Sequence, residues 1–89
     1  MLCLWLALAA GCSSAPVQEM SEARQAIEAA RAAGAEQSAQ QQYEKAQQLL
    51  KAAEQLLNDE HFSKARKSAA QARDEAIQAR EIAQRESAQ

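Results

Sequence analysis

The chain reads as an all-α protein: a short, Ala-rich antiparallel helical bundle or hairpin of about three helices. Three observations predict this. Ala, Gln, Glu, Lys, Arg and Leu, the strongest helix formers, make up most of its 89 residues. β-Branched residues are confined to Val17, Ile27, Ile77 and Ile82, too few for a sheet. From residue 17 onward, apolar residues recur at intervals of three and four, the period of one helix face.

The length allows one domain at most. Hydrophobic residues account for 47% of the chain, but alanine dominates them, and the aromatic share is 3%, from Trp5, Tyr43 and Phe62. Small side chains make a thin core in a domain already marginal in the surface it can bury.

The first helix is expected from about Val17 to Ala33. Pro16 suits its start, Glu19 and Glu22 suit the positive end of its dipole, and Gly34 ends it. Met20, Ala23, Ile27 and Ala30 form its apolar stripe. Residues Gly34 to Gln37 read as a break, after which Ser38 with Gln41 three positions later has the pattern of a capping box. The second helix is expected from about Ala39 to Leu57, with Tyr43, Ala46, Leu50, Ala53 and Leu57 on one stripe, widened by Leu49 and Leu56. A wide stripe suits two neighbours rather than one. Asn58 to His61 is the second turn.

The third helix is expected from about Phe62 to Arg85. Its stripe is Phe62 followed by Ala65, Ala69, Ala72, Ala76, Ala79 and Ala83. Folding the chain at the second turn sets Leu57 near Phe62, Leu50 near Ala69 and Tyr43 near Ala76, so that large opposes small along the hairpin. Ile77 and Ile82 lie beside the seam, placed to meet the first helix or a partner. The charges fall mostly off the seams, as in the i,i+4 pairs Glu60 with Lys64 and Glu81 with Arg85, each worth a few tenths of a kcal/mol.

The first twelve residues, MLCLWLALAAGC, are of another kind. Leu2 to Ala10 is an apolar run of nine, well short of the about 20 residues that span a bilayer and within the roughly 7–15 of a signal-peptide core. Ala9, Ala10 and Gly11 follow as small residues before Cys12, and then the polar Ser13-Ser14-Ala15-Pro16. Leu8-Ala9-Ala10-Gly11-Cys12 resembles a bacterial lipobox. That resemblance implies cleavage before Cys12, a diacylglyceryl group on its thiol, and acylation of the new amino group. Ala9 stands where the lipobox usually has Leu, with Leu8 one position earlier. No Lys or Arg precedes Arg24, whereas a signal peptide begins with a positive segment. Either the start lies inside a longer signal peptide or the segment is inefficient, and the first is favoured. Cys3 is read as a small apolar residue of the removed segment.

The expected organisation is therefore a signal peptide over 1–11, possessing a truncated or mis-placed start, a lipidated N-terminus and linker over 12–18, and a helical domain over 19–89. Two or three acyl chains on one residue give stable anchoring, and a linker of half a dozen residues keeps the domain within about 15–20 Å of the membrane. By the same resemblance, Ser13, being a residue other than Asp, points to the outer membrane, facing the periplasm.

Two resemblances touch the helical part. "YEKAQQLLKAAEQLLNDEHFSKARKSAAQARDEA" has A-x-x-L-L-x-x-A, then an aromatic, then alanines at 65, 69, 72 and 76. It resembles a tetratricopeptide-like hairpin, without that hairpin's Gly before the turn aromatic and with at most one and a half repeats. Over almost the whole mature chain, A-x-x-A-I-x-x-A (Ala23 to Ala30), A-G-A (Ala33 to Ala35) and K-A-x-x-L-L-x-x-A (Lys45 to Ala53) resemble small bacterial lipoproteins of a domain-of-unknown-function family. That implies an envelope lipoprotein and brings no known activity with it.

Chemistry-bearing patterns are sparse. The formal net charge is −2 without a basic patch, which argues against nucleic acid. His61 lies beside Asp59 and Glu60, with no second His or spare Cys to complete a metal site, and reads as part of a solvated turn. There is no phosphate-cradling Gly-rich loop and no nucleophile–base set. Tyr43 and Phe62 read as core anchors. The expectation is a non-enzymatic envelope lipoprotein with a structural or protein-interaction role. It needs no cofactor, metal or small-molecule substrate, and it is partnered by the membrane through Cys12 and by a second copy or another protein. The alternatives are a tetratricopeptide-like adaptor for a protein partner and a non-lipidated soluble coiled-coil protein.

Overall fold

The structure, a computed structural model, describes residues 15–88. Four helices follow one another: α1 (Val17–Ala32), α2 (Ala35–Ser38), α3 (Gln40–Asn58) and α4 (Phe62–Ser87). No strand occurs among the described residues. The all-α reading and its three long helices hold, and the single-turn α2 is an addition.

α4 is the spine. α1 and α3 both lie along it and meet each other much less. The three-residue turn, Asp59 to His61, makes α3 and α4 antiparallel. α1 runs parallel to α4, because its Glu19 and Glu22 reach Arg66 and Arg73 at 3.6 and 3.3 Å, numbers rising together. Met20 and Ala23 share one core cluster with Ala69 and Ala72, whereas Ile27 and Ala30 share another with Ala76, Ala79 and Ala83.

Of the buried apolar residues described, only Pro16, Met20, Ile27 and Tyr43 are larger than alanine. A buried methyl contributes only about 0.8 kcal/mol by transfer, so the seam works by letting helix axes come close and multiplying dispersion contacts. All six expected alanines of α4 are completely buried, and Met20, Ala23, Ile27 and Ala30 of α1 are buried. Tyr43 joins the cluster of Ala76, Ala79 and Ala83, as large-against-small packing requires. Leu50 and Leu57 sit at the edge of the core rather than within it, and Phe62 is half-buried. The core admits three large side chains, Met20, Ile27 and Tyr43, and Leu50 and Leu57 lean along its margin. Ile82 packs against the core, while Ile77 remains 42% exposed. Ser68, on the seam side of α4, donates a hydrogen bond to the Leu49 carbonyl at 2.8 Å and so ties α4 to α3.

Three expectations are corrected. The capping box does not form: the Ser38 hydroxyl donates backward to the Gly34 carbonyl at 2.9 Å, and the residue before α3 is Ala39. Gly34 to Gln37 is not an open break, because α2 turns there and buries Ala35 in the core, with Ala39 beside it. The pairs Glu60–Lys64 and Glu81–Arg85 are absent; Arg31–Glu28 and Arg73–Asp74 pair within a helix, and four other ion pairs tie different helices together: Arg24–Glu54, Lys45–Glu75, Arg66–Glu19 and Arg73–Glu22. The helical unit also begins earlier than residue 19. Pro16 is fully buried and its carbonyl accepts from the Met20 amide at 3.0 Å, so packing reaches into the segment read as linker.

Both reversals use a left-handed residue. Gly34 has φ 90° and its amide donates to Arg31 at 2.9 Å. At the other end Glu60 has φ 62°, its amide donates to Leu57 at 3.0 Å, and His61 donates to Leu56 at 2.8 Å. These two bonds are the 5→2 and 6→1 bonds of a Schellman cap, with Glu at the place where Gly is usual.

Candidate functional site

Cys12, the one residue with an expected chemical fate, lies outside the described residues, as do Cys3 and the whole segment 1–11. The structure therefore shows the platform to which Cys12 is attached. That platform starts at Ala15, three residues further along the chain.

A cleft of about 490 Å³ lies between α1 and α3. α1 supplies Arg24, Ile27, Glu28 and Arg31, and α3 supplies Gln47, Leu50, Lys51 and Glu54. Each set has the same spacing, so one strip of each helix forms each wall. Ile27 and Leu50 are its apolar residues and the other six are polar. It exists because α1 and α3 both pack on α4 rather than on each other. The sequence reading placed Ile27 and Leu50 on core stripes. The charged residues flanking each stripe were the available sign of a wall, but nothing local says that the two walls face one another.

Two contacts cross the cleft. Arg24 Nη2 is 3.2 Å from Glu54 Oε2, and Arg31 Nε donates to the Tyr43 hydroxyl at 3.3 Å. Gln47 donates to the same hydroxyl at 3.5 Å. Tyr43 is thus the core anchor it was read to be, its ring 97% covered by its surroundings in the sense that only 3% of the residue is exposed. Its hydroxyl reaches the margin and finds partners there, as a buried Tyr should. The hydrogen bond to Tyr43, and then the nearby Glu28 carboxylate, raise the pKa of the Arg31 guanidinium above its ordinary value. Asp74 first and Glu22 second do the same for Arg73. A raised guanidinium keeps its proton throughout the neutral and alkaline range, and the contribution from these contacts is lost only as pH rises beyond that ordinary value.

His61 is exposed at the α3–α4 turn, preceding α4, and makes no side-chain cap bond. Among the described residues, no three His, Cys, Asp or Glu side chains are grouped to hold a metal ion, and no helix is long and apolar enough to cross a membrane. No described buried side-chain nitrogen or oxygen lacks a hydrogen-bond partner.

No curated protein and no solved structure matches the chain. Residues 18–89, which take in all of α2, α3 and α4 and nearly all of α1, match the model of a domain of unknown function, DUF4398, and the chain belongs to that family.

Proposed function

We propose that this is a bacterial envelope lipoprotein, cleaved before Cys12 and anchored by acyl chains on that residue, with a structural or protein-interaction role in the outer membrane facing the periplasm. The observation that carries the reading is the junction between Leu8-Ala9-Ala10-Gly11-Cys12 and the packed unit. A short apolar run ends in small residues and a cysteine, and the folded domain begins at Pro16. Only a thiol can form the thioether, and small side chains suit a peptidase that cuts just before it. With two or more acyl chains the attachment is stable, where a single chain binds reversibly. The helical domain then acts by presenting its surface at the membrane, not by catalysis.

Intact mass spectrometry of the protein extracted from membranes tests this. The expected mass is that of a chain beginning at Cys12 with a diacylglyceryl group and an N-acyl chain, and Cys12→Ala abolishes both cleavage and lipid. An unmodified chain beginning at Met1 would overturn the reading. A tetratricopeptide-like adaptor would use the α1–α3 cleft. The Arg24–Glu54 and Arg31–Tyr43 bridges across that cleft make this the less supported reading. A non-lipidated soluble coiled-coil protein is separated from both by the state of Cys12.

A further inference from the structure

We propose that the end of the bundle carrying the α3–α4 turn rests on the lipid surface, so that α1 and α4 point away from the membrane and the α1–α2–α3 end is the part presented outward. This rests on the lipid-anchor reading and adds an orientation and a contact surface to it.

Two independent observations lead there. The first is the tether. Ala15 is half-buried, Pro16 is fully buried, and Val17 already begins α1. Only Ser13 and Ser14 separate Cys12 from that packed segment, so the Cα atoms of Cys12 and Ala15 are at most about 11 Å apart. The headgroup layer on one side of a bilayer is about 5–8 Å thick. A cysteine whose acyl chains are in the hydrocarbon thus holds Ala15 no more than about 6 Å beyond the outer margin of the headgroups. Because α1 is parallel to α4, Ala15 lies at the end of the bundle where α3 finishes and α4 starts. Glu19, one turn into α1, is 3.6 Å from Arg66, one turn into α4, and Met20 shares a cluster with Ala53 and Leu57.

The second observation is where the uncovered large apolar side chains are. Val17, at the tethered end, is the most exposed large apolar residue described, at 72%, and Leu56 and Phe62 at that same end are half-buried, whereas Ile77, 42% exposed, stands past the middle of α4 and belongs to neither end. These come from the first turn of α1, the last turn of α3 and the first turn of α4. The opposite end, residues 34–42 and 84–88, contains no Val, Leu, Ile, Met or aromatic residue and exposes Glu36, Gln37, Arg85 and Glu86. The charges of the tethered end balance: Asp59 and Glu60 against Lys64 and Lys67, all exposed. The contact is therefore apolar, made with the interfacial layer of any phospholipid, and needs no anionic headgroup. A lipid anchor supplies a high effective concentration, so a small apolar area suffices to set the orientation.

The test uses the full chain, processed in the cell, extracted and reconstituted in phosphatidylcholine vesicles bearing a headgroup nitroxide. A fluorophore is placed through Asp59→Cys at the turn or Gln37→Cys at the opposite end, positions separated by roughly the 28 Å length of a 19-residue α3. Cys3 precedes the cut and the Cys12 sulfur is in a thioether, so only the introduced thiol reacts. The label at 59 is expected to lose most of its emission and the label at 37 to keep it. Adding Val17→Glu to Asp59→Cys is expected to reduce quenching at 59 while the thermal transition by circular dichroism is unchanged, because Val17 makes little of the core. Equal quenching at both positions, or more at 37, in protein whose mass carries the Cys12 lipid overturns the orientation and leaves the anchor reading intact. Quenching at 59 that is insensitive to Val17→Glu overturns the apolar contact. A chain without lipid on Cys12 overturns both readings.

Discussion

The two ends of this bundle reverse the chain with the same backbone device and cover it in different ways. At the α1–α3 end, Gly34 adopts the left-handed conformation and the chain then takes an extra helical turn that pushes Ala35 and Ala39 into the core above Tyr43. At the α3–α4 end, Glu60 adopts the left-handed conformation and the chain returns at once, leaving Leu56 and Phe62 half-covered. The first end is sealed by small residues around one aromatic ring. The second is not sealed by the described residues. In a core built mainly of alanine, a single large side chain and the caps around it carry much of the difference between a closed end and an open one.

The largest expected effect is therefore at Tyr43. Tyr43→Ala removes the one large ring of the sealed end and is expected to cost about 3–5 kcal/mol, read as a fall in the urea midpoint. Phe62→Ala at the open end should cost less than half of that, since the ring it removes is only half-buried. If the two cost the same, the contrast between the ends is wrong. Ala72→Leu tests the close approach of the helices: no room exists for the added carbons at a completely buried seam position, and the expected cost is about 1–3 kcal/mol. An unchanged stability in that variant would mean that the helices move apart at no cost.

The two left-handed residues give opposite predictions. An added Cβ at Gly34 meets nothing within 4 Å, so the penalty for Gly34→Ala is conformational alone, about 1–2 kcal/mol in thermal or urea unfolding. Glu60→Gly relieves the same conformation while loosening the unfolded chain, and a net gain of about 0.5–1 kcal/mol is expected. The smallest effect is at the cleft. Arg24→Gln breaks an exposed ion pair and should change stability by no more than about 0.5 kcal/mol, less still at high salt.

Much of the fold was legible because the helix period is local. The spacing of Met20, Ala23, Ile27 and Ala30 marks a buried stripe whatever it packs on, and so does the alanine series of α4. Ser38 was misread because a hydroxyl at that position has two acceptable backbone partners, the following amides or the preceding carbonyl, and the choice depends on whether the chain turns once more first. The salt bridges were misread for a related reason: Glu60 with Lys64 is a possibility within one helix, whereas Glu22 with Arg73 exists only once α1 lies parallel to α4. The cleft residues were visible one helix at a time and never as a pair of walls. Cys12 was read from its neighbours in the chain, which is all that its proposed chemistry requires.

By itself, then, the sequence determined that the chain is helical, where the long helices run, which stripe of each is buried, and that an apolar run ending at Cys12 precedes them. These follow from side-chain type and spacing along one strand of backbone. The tertiary structure alone decided that α4 is the spine and that α1 runs parallel to it. It also decided that Ala35 and Ala39 seal one end, and that the end nearest Cys12 is the one with uncovered Val17, Leu56 and Phe62. Those depend on which surfaces meet, and an alanine stripe, offering nearly the same small surface at every turn, does not encode its partner locally.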